Sequence, residues 1–186
     1  MNAHLIGISG SLRAASYNTK LLKAAQQLLP EGLTLDIISI ADIPLFNEDL
    51  EPPAAPDYPL PVKTFREAIA KADGMLIVSP EYNYSIPGVL KNAVDWASRG
   101  KDAPIVGKPV SLMGATPGIW GTARMHMAFQ PVFHTLDVKA VHKPEVYLSK
   151  AAEKFDDNGN LVDETAKKLI VKNLEELQKI IEKYSK

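Results

Sequence analysis

The chain of 186 residues contains no cysteine. Disulfides, thiolate metal sites, iron–sulfur clusters and a cysteine nucleophile are therefore excluded. The absence fits a reducing compartment. An excess of charge of either sign is missing too: the formal net charge is -1. The totals give no reason to expect nucleic acid or an anionic membrane as a partner. No window approaches the roughly 20 apolar residues of a membrane span. The apolar run from Leu5 to Gly10 is too short for a secretory signal, and polar residues follow it at once. The chain is read as cytoplasmic.

Several chemical signatures are missing as well. A dinucleotide fingerprint needs three spaced glycines, and only Gly7 and Gly10 lie in the first loop region. The Gly-Lys-Ser/Thr ending of a triphosphate loop is absent, as is the Gly-x-Ser-x-Gly elbow of hydrolases. His4, His126, His134 and His142 show no metal spacing. They read as core or surface histidines. Asp156–Asn160 has the composition of a calcium loop, but its glycine is fourth rather than sixth, which makes it a turn. The triplet Asn83-Tyr84-Ser85 fits a glycosylation acceptor only by accident, since no secretory signal precedes it.

What is present is an ordinary globular balance, 46% apolar and 23% charged, of a length suited to one domain over residues 1–186. Periodicity places strands at His4–Ser9, Thr34–Ile38, Gly74–Ser79 and Pro109–Gly114. A fifth strand falls within Lys139–Tyr147, interrupted at Pro144. Helices are expected at Asn18–Leu29, Val62–Ala72, Gly88–Ser98, Ala123–Leu136 and Glu164–Tyr184, with Pro131 bending or splitting the fourth. The stretch Ile40–Pro61 is a long proline-rich loop, which hints at a binding or interface role. Strict alternation of strand and helix implies a mostly parallel sheet covered on both faces. Ligands of such sheets bind beyond the carboxyl ends of the strands.

Three loops leave those ends. In the first, Ser9, Ser11 and Ser16 offer hydroxyls, Arg13 offers a charged fork, and a helix begins near Asn18. Hydroxyls, a guanidinium and free helix N–H groups suit one phosphate. A helix cap with solvated serines would use the same residues. The second loop, Pro80-Glu81-Tyr82-Asn83-Tyr84-Ser85-Ile86-Pro87, is stiffened by two prolines and carries two tyrosines. It reads as a seat for a planar ligand. A turn whose tyrosines pack on the next helix is the competing reading. The third, Gly114–Gly121, has small residues that let a ligand approach the backbone, with Gly118 followed by Ile119 and Trp120.

Gly10-Ser11-Leu12-Arg13, then Ser16-Tyr17-Asn18, then Pro80-Glu81-Tyr82-Asn83, Pro87-Gly88, Lys91-Asn92 and Asp95-Trp96 together resemble the NAD(P)H-dependent FMN reductase family. That family includes quinone, azo-dye and chromate reductases. The resemblance covers roughly the first 150 residues. It implies a flavodoxin-like three-layer α/β sandwich with a five-stranded parallel sheet in the order 2-1-3-4-5. It also implies FMN, with Ser9, Ser11, Arg13, Ser16 and Asn18 around the phosphate. Pro80, Glu81, Tyr82, Asn83 and Ser85 would hold the ring edge, and Gly114 and Gly118 would flank it from the other side. NAD(P)H would donate electrons and a small-molecule acceptor would receive them. A homodimer or homotetramer is implied, with Pro44–Pro61 and Pro87–Trp96 as candidate contacts. Lys91, Asn92 and Asp95 would brace helix and interface, and Trp96 would pack. The paired glycines frequent in the family's third loop are replaced here by Ile119 and Trp120. Trp120 suits the substrate face, a subunit contact or simple loop packing, and Arg124 a nicotinamide phosphate, a neighbouring subunit or solvent. An electron carrier or flavin-binding regulatory module without nicotinamide turnover is the alternative function, and a protein of this fold that has lost its ligand and serves as an interaction partner is a second. The near-neutral charge argues against a carrier, since carrier flavodoxins are usually strongly acidic.

Overall fold

The computed structural model describes residues 2–184. Its sheet is built from β1 (Ala3–Ser9), β2 (Leu33–Ile38), β3 (Gly74–Val78), β4 (Pro109–Ala115), β5 (Lys139–Ala140) and β6 (Val146–Leu148). The order is β2-β1-β3-β4-β5, with β6 also pairing β4, and every pair is parallel. β5 and β6 are two pieces of the fifth strand, interrupted around Pro144 as expected. The helices are α1 (Tyr17–Gln27), α2 (Leu60–Lys71), α3 (Gly88–Ala97), α4 (Ala123–Thr135) and α5 (Glu164–Tyr184).

Residue pattern explains position. β3 and β4 are buried along their whole length, which is what continuous apolar runs require at the centre of a covered sheet. β2 alternates buried and exposed residues through its first half, as an edge strand does. In β1 the two-residue period sends Leu5 into one core with α1 and α5, and Ile6 and Ile8 into the other with α2, α3 and α4. The two cores lie on opposite faces, giving three layers. Gly7 lets α1 approach: a Cβ there would lie 2.8 Å from a methyl of Leu22.

Of the two outcomes expected at Pro131, the split does not occur: α4 runs unbroken from Ala123 to Thr135. Pro131 is exposed, so the hydrogen bond that it removes is lost on the solvent side, where water can satisfy the freed carbonyl. The long loop is not loose. Asn92 accepts a hydrogen bond from Phe46 N and donates to the Pro44 carbonyl, which also receives the Trp96 indole N–H at 2.8 Å. Arg99 forks onto Glu51. The segment is thereby strapped along α3.

At the broken fifth strand, the Leu112 carbonyl of β4 faces the gap between β5 and β6. His126 answers it: its two ring nitrogens lie 3.1 Å from the Thr122 carbonyl and 3.2 Å from that of Leu112. His126 is thus a core histidine of α4. Burial pushes its pKa below the ordinary histidine value, against the opposing pull of the two carbonyls.

Candidate functional site

The carboxyl ends of β1, β3 and β4 meet along a seam of small residues. A Cβ on Gly10 would lie 2.5 Å from the Ser79 hydroxyl. A Cβ on Gly114 would lie 2.7 Å from the Ser79 carbonyl and in outright collision with the Thr122 hydroxyl. Gly10 N donates to the Val78 carbonyl and Ser79 N to that of Met113. The seam fixes the three loops relative to one another, and side chains of any size would force them apart.

The first loop turns straight into α1. Ser16 caps the helix, its hydroxyl oxygen accepting from Asn18 N at 3.2 Å. Ser11 likewise accepts from Arg13 N at 3.4 Å. Both serines are buried, and each keeps its own O–H to give. Among the described residues, the backbone N–H groups of Leu12, Ala14 and Ala15 have no protein partner, and Arg13 is exposed. A phosphate accepts hydrogen bonds and carries negative charge, so this set of donors fits it. Ser9 is spent differently: its hydroxyl bonds the Ser11 carbonyl and Thr19, bracing the loop from beneath.

The second loop is a two-residue hairpin turn. Tyr82 and Ser85 exchange both backbone hydrogen bonds, at 3.1 and 2.9 Å. Asn83 and Tyr84 between them have φ of 47° and 67°. Positive φ at both central positions is the mark of the rigid turn that best matches strand twist. Side chains other than glycine strain this conformation, so the turn holds only because its surroundings fix it. Pro80 is buried behind it, while Tyr82 and Tyr84 stand exposed.

Glu81 supplies part of that fixing. Its carboxylate accepts from Arg124 N at 3.0 Å and Met125 N at 3.2 Å, the first turn of α4, and from Arg124 Nε at 2.5 Å. The ordinary cap position, Thr122, has φ of 69° and makes no side-chain cap. Its buried hydroxyl has no partner among the described residues. Arg124 in turn lays its guanidinium 3.7 Å from the centre of the Tyr84 ring and 5.5 Å from that of Trp120.

The sequence-derived residues therefore converge at one end of the sheet, but not all with the expected work. Ser11, Arg13 and Ser16 face the first loop as a donor set. Tyr82, Asn83 and Ser85 form the hairpin. Gly118 lies in an open part of the third loop, where a Cβ would meet nothing closer than Thr116 at 3.7 Å. Three of these residues also do structural work. Asn18 turns both ends of its amide to the backbone of Ala115, each bond 2.9 Å, and ties α1 to the end of β4. The Glu81 carboxylate is spent on α4. Gly114 leaves room for the Thr122 hydroxyl and the Ser79 carbonyl. Sequence reasoning missed Thr122, Thr19 and the stacking of Arg124. An acidic residue before the turn and an arginine at the start of α4 were visible, but no local spacing joins positions 43 residues apart. The described residues contain no cluster of three or more potential metal ligands of His, Asp or Glu type. They also contain no helix long and apolar enough to cross a membrane.

Comparison with known proteins bears on the same residues. The family model described as NADPH-dependent FMN reductase matches residues 3–153. An NAD(P)H-dependent FMN reductase of Pseudomonas aeruginosa is 46% identical over 174 residues, covering 94% of this chain and 92% of its own length. A 2-hydroxy-1,4-benzoquinone reductase of a Burkholderia species is 38% identical, covering 96% of this chain and 92% of its own length. Among solved structures, the flavoenzyme NAD(P)H:(acceptor) oxidoreductase of Paracoccus denitrificans superposes with a TM-score of 0.87 at 32% identity, covering 98% of each chain. A donor-lined first loop, a strained aromatic hairpin and a match that spans both place this chain in the NADPH-dependent FMN reductase family.

Proposed function

We propose that this protein holds FMN at the carboxyl edge of its sheet and passes electrons from NAD(P)H to a small planar acceptor. The observation that carries the reading is the first loop. Two buried serines there have lone pairs already engaged by backbone N–H groups, so their own hydrogens are left for an acceptor-only ligand. Bound FMN supplies a ring that takes up a hydride and gives the electrons on, singly or in pairs.

The chain's part is to bind, orient and exclude. Ser11, Ser16 and Arg13, with the start of α1, anchor the phosphate. The rigid Tyr82–Ser85 hairpin presents backbone N–H groups and tyrosine rings to a flat ligand without having to reorganise. Hydride transfer to such a ring calls for no acid or base from the protein. Exposed Tyr82, Tyr84 and Trp120 give the open side an aromatic lining suited to quinones or azo compounds.

Anaerobic stopped-flow spectroscopy on FMN-reconstituted protein tests this. Mixing with NADH or NADPH should bleach the flavin's visible absorbance rapidly, and a quinone should restore it. Bound flavin that neither nucleotide bleaches would rule out the reductase and leave an electron carrier.

A further inference from the structure

We infer that Arg124 selects among acceptors, favouring planar ones that carry a single negative charge on oxygen, and that Glu81 is the positioning residue that holds it ready. The inference rests on the proposed flavin site. Its own ground is the geometry at the lip of that site. The guanidinium is held at Nε by Glu81, and its central carbon lies 3.7 Å from the centre of the Tyr84 ring. Its two Nη groups have no hydrogen-bond partner among the described residues, and the side chain is 30% exposed. Such a guanidinium has already lost most of its rotamer freedom. It offers a planar fork of donors that pays little further entropy on binding.

The backbone amides at the start of α4 are not the source of this preference. Those of Arg124 and Met125 are already taken by the Glu81 carboxylate. What remains is one guanidinium edge bordered by the faces of Tyr84 and Trp120. A phosphate dianion asks for more positive charge than an arginine half-answered by a glutamate can give. An enolate or phenolate oxygen on an aromatic ring fits better: the fork takes the oxygen through charge-assisted hydrogen bonds while the ring lies against the tyrosine and tryptophan. Glu81 acts only through Arg124. Without its charge the guanidinium is free to swing off Tyr84.

The test pairs two ligands of one ring system: 2-hydroxy-1,4-naphthoquinone, an anion at neutral pH, and neutral 1,4-naphthoquinone. The absence of cysteine removes the usual side reaction of quinones with thiols. Titration calorimetry on the oxidised FMN-loaded protein, with no nicotinamide present, reads binding apart from turnover. In Arg124→Gln the anionic quinone should bind about fivefold more weakly, the scale of a partly exposed charge contact. The neutral one should change less than twofold. Glu81→Gln, which keeps an acceptor for the α4 amides, should shift the same ratio in the same direction. In steady state the loss should fall on KM for the anionic acceptor and not on kcat. Equal weakening of both quinones, no weakening, or a change confined to the NADPH-to-NADH ratio would each overturn the inference. A rise in anion preference in Glu81→Gln would overturn the positioning role of Glu81. Failure of nicotinamide to bleach the wild-type flavin would defeat the proposed function instead, and the calorimetric arm reads the quinone contact without it.

Discussion

Two helices begin at the candidate site, and they are started in opposite ways. α1 is capped by the residue directly before it: Ser16 accepts from Asn18 N, two positions on. α4 is capped from the loop after β3, by a glutamate 43 residues before Arg124, while its own cap position holds a left-handed threonine whose side chain caps nothing. The first arrangement is local and leaves hydroxyl hydrogens for a ligand. The second is long-range and uses a charge to lock one loop against another. The end proposed for the phosphate is thus set largely by short-range chemistry, and the end proposed for the ring by tertiary contacts.

The largest effect should come from cutting the long-range cap. Glu81→Ala removes two backbone hydrogen bonds to a charged acceptor and leaves Arg124 without its ion partner. A loss of about 3 kcal/mol in urea unfolding is expected. Ser16→Ala removes one local cap and should cost about 1 kcal/mol in the same measurement. Equal losses in the two variants would dissolve the contrast between the two starts.

A pH effect sharpens it from the α4 side. Burial lowers the pKa of His126 below that of the unfolded chain, so the folded state favours the neutral ring. Stability from this group is complete above the unfolded value of about 6.5 and is lost as the pH falls through the window below it. Unfolding free energies measured from pH 7.5 to pH 5 should decline, and His126→Gln should flatten that decline. If the slope persists unchanged in the variant, other groups account for it.

The smallest change should be Thr122→Val. The hydroxyl that it removes is buried and unpartnered among the described residues. An isosteric methyl should leave apo-protein stability within about 1 kcal/mol of wild type, on the favourable side. A clear destabilisation would show that the hydroxyl is engaged in solution.

The same contrast explains what the sequence made legible. The covered parallel sheet followed from period and alternation, because β3 and β4 had to be buried on both faces, and the strand order from the resemblance carried by the loop motifs. The first loop could be read because its logic is local: a serine before a helix caps it wherever it occurs. The structural work of Glu81, Asn18 and Gly114 was not legible for one shared reason. Each faces a partner far along the chain (α4, the end of β4, Thr122), and the spacing of nearby residues carries no trace of such a contact. At Pro131 the expected split does not occur, because the proline sits on the exposed side of α4, where water can take the carbonyl that it frees, and that exposure is not written in the local sequence.

The interrupted fifth strand has a consequence beyond the site. A sheet of this kind ends in a row of unpaired backbone groups that can recruit a strand from another molecule. Here that edge is offered as a two-residue piece and a three-residue piece, with the break between them filled by a histidine from the neighbouring helix. A short, divided border of this kind gives an incoming chain little length to align with. The break that disrupts the regularity of the sheet also makes this border a poor template for a strand from another molecule.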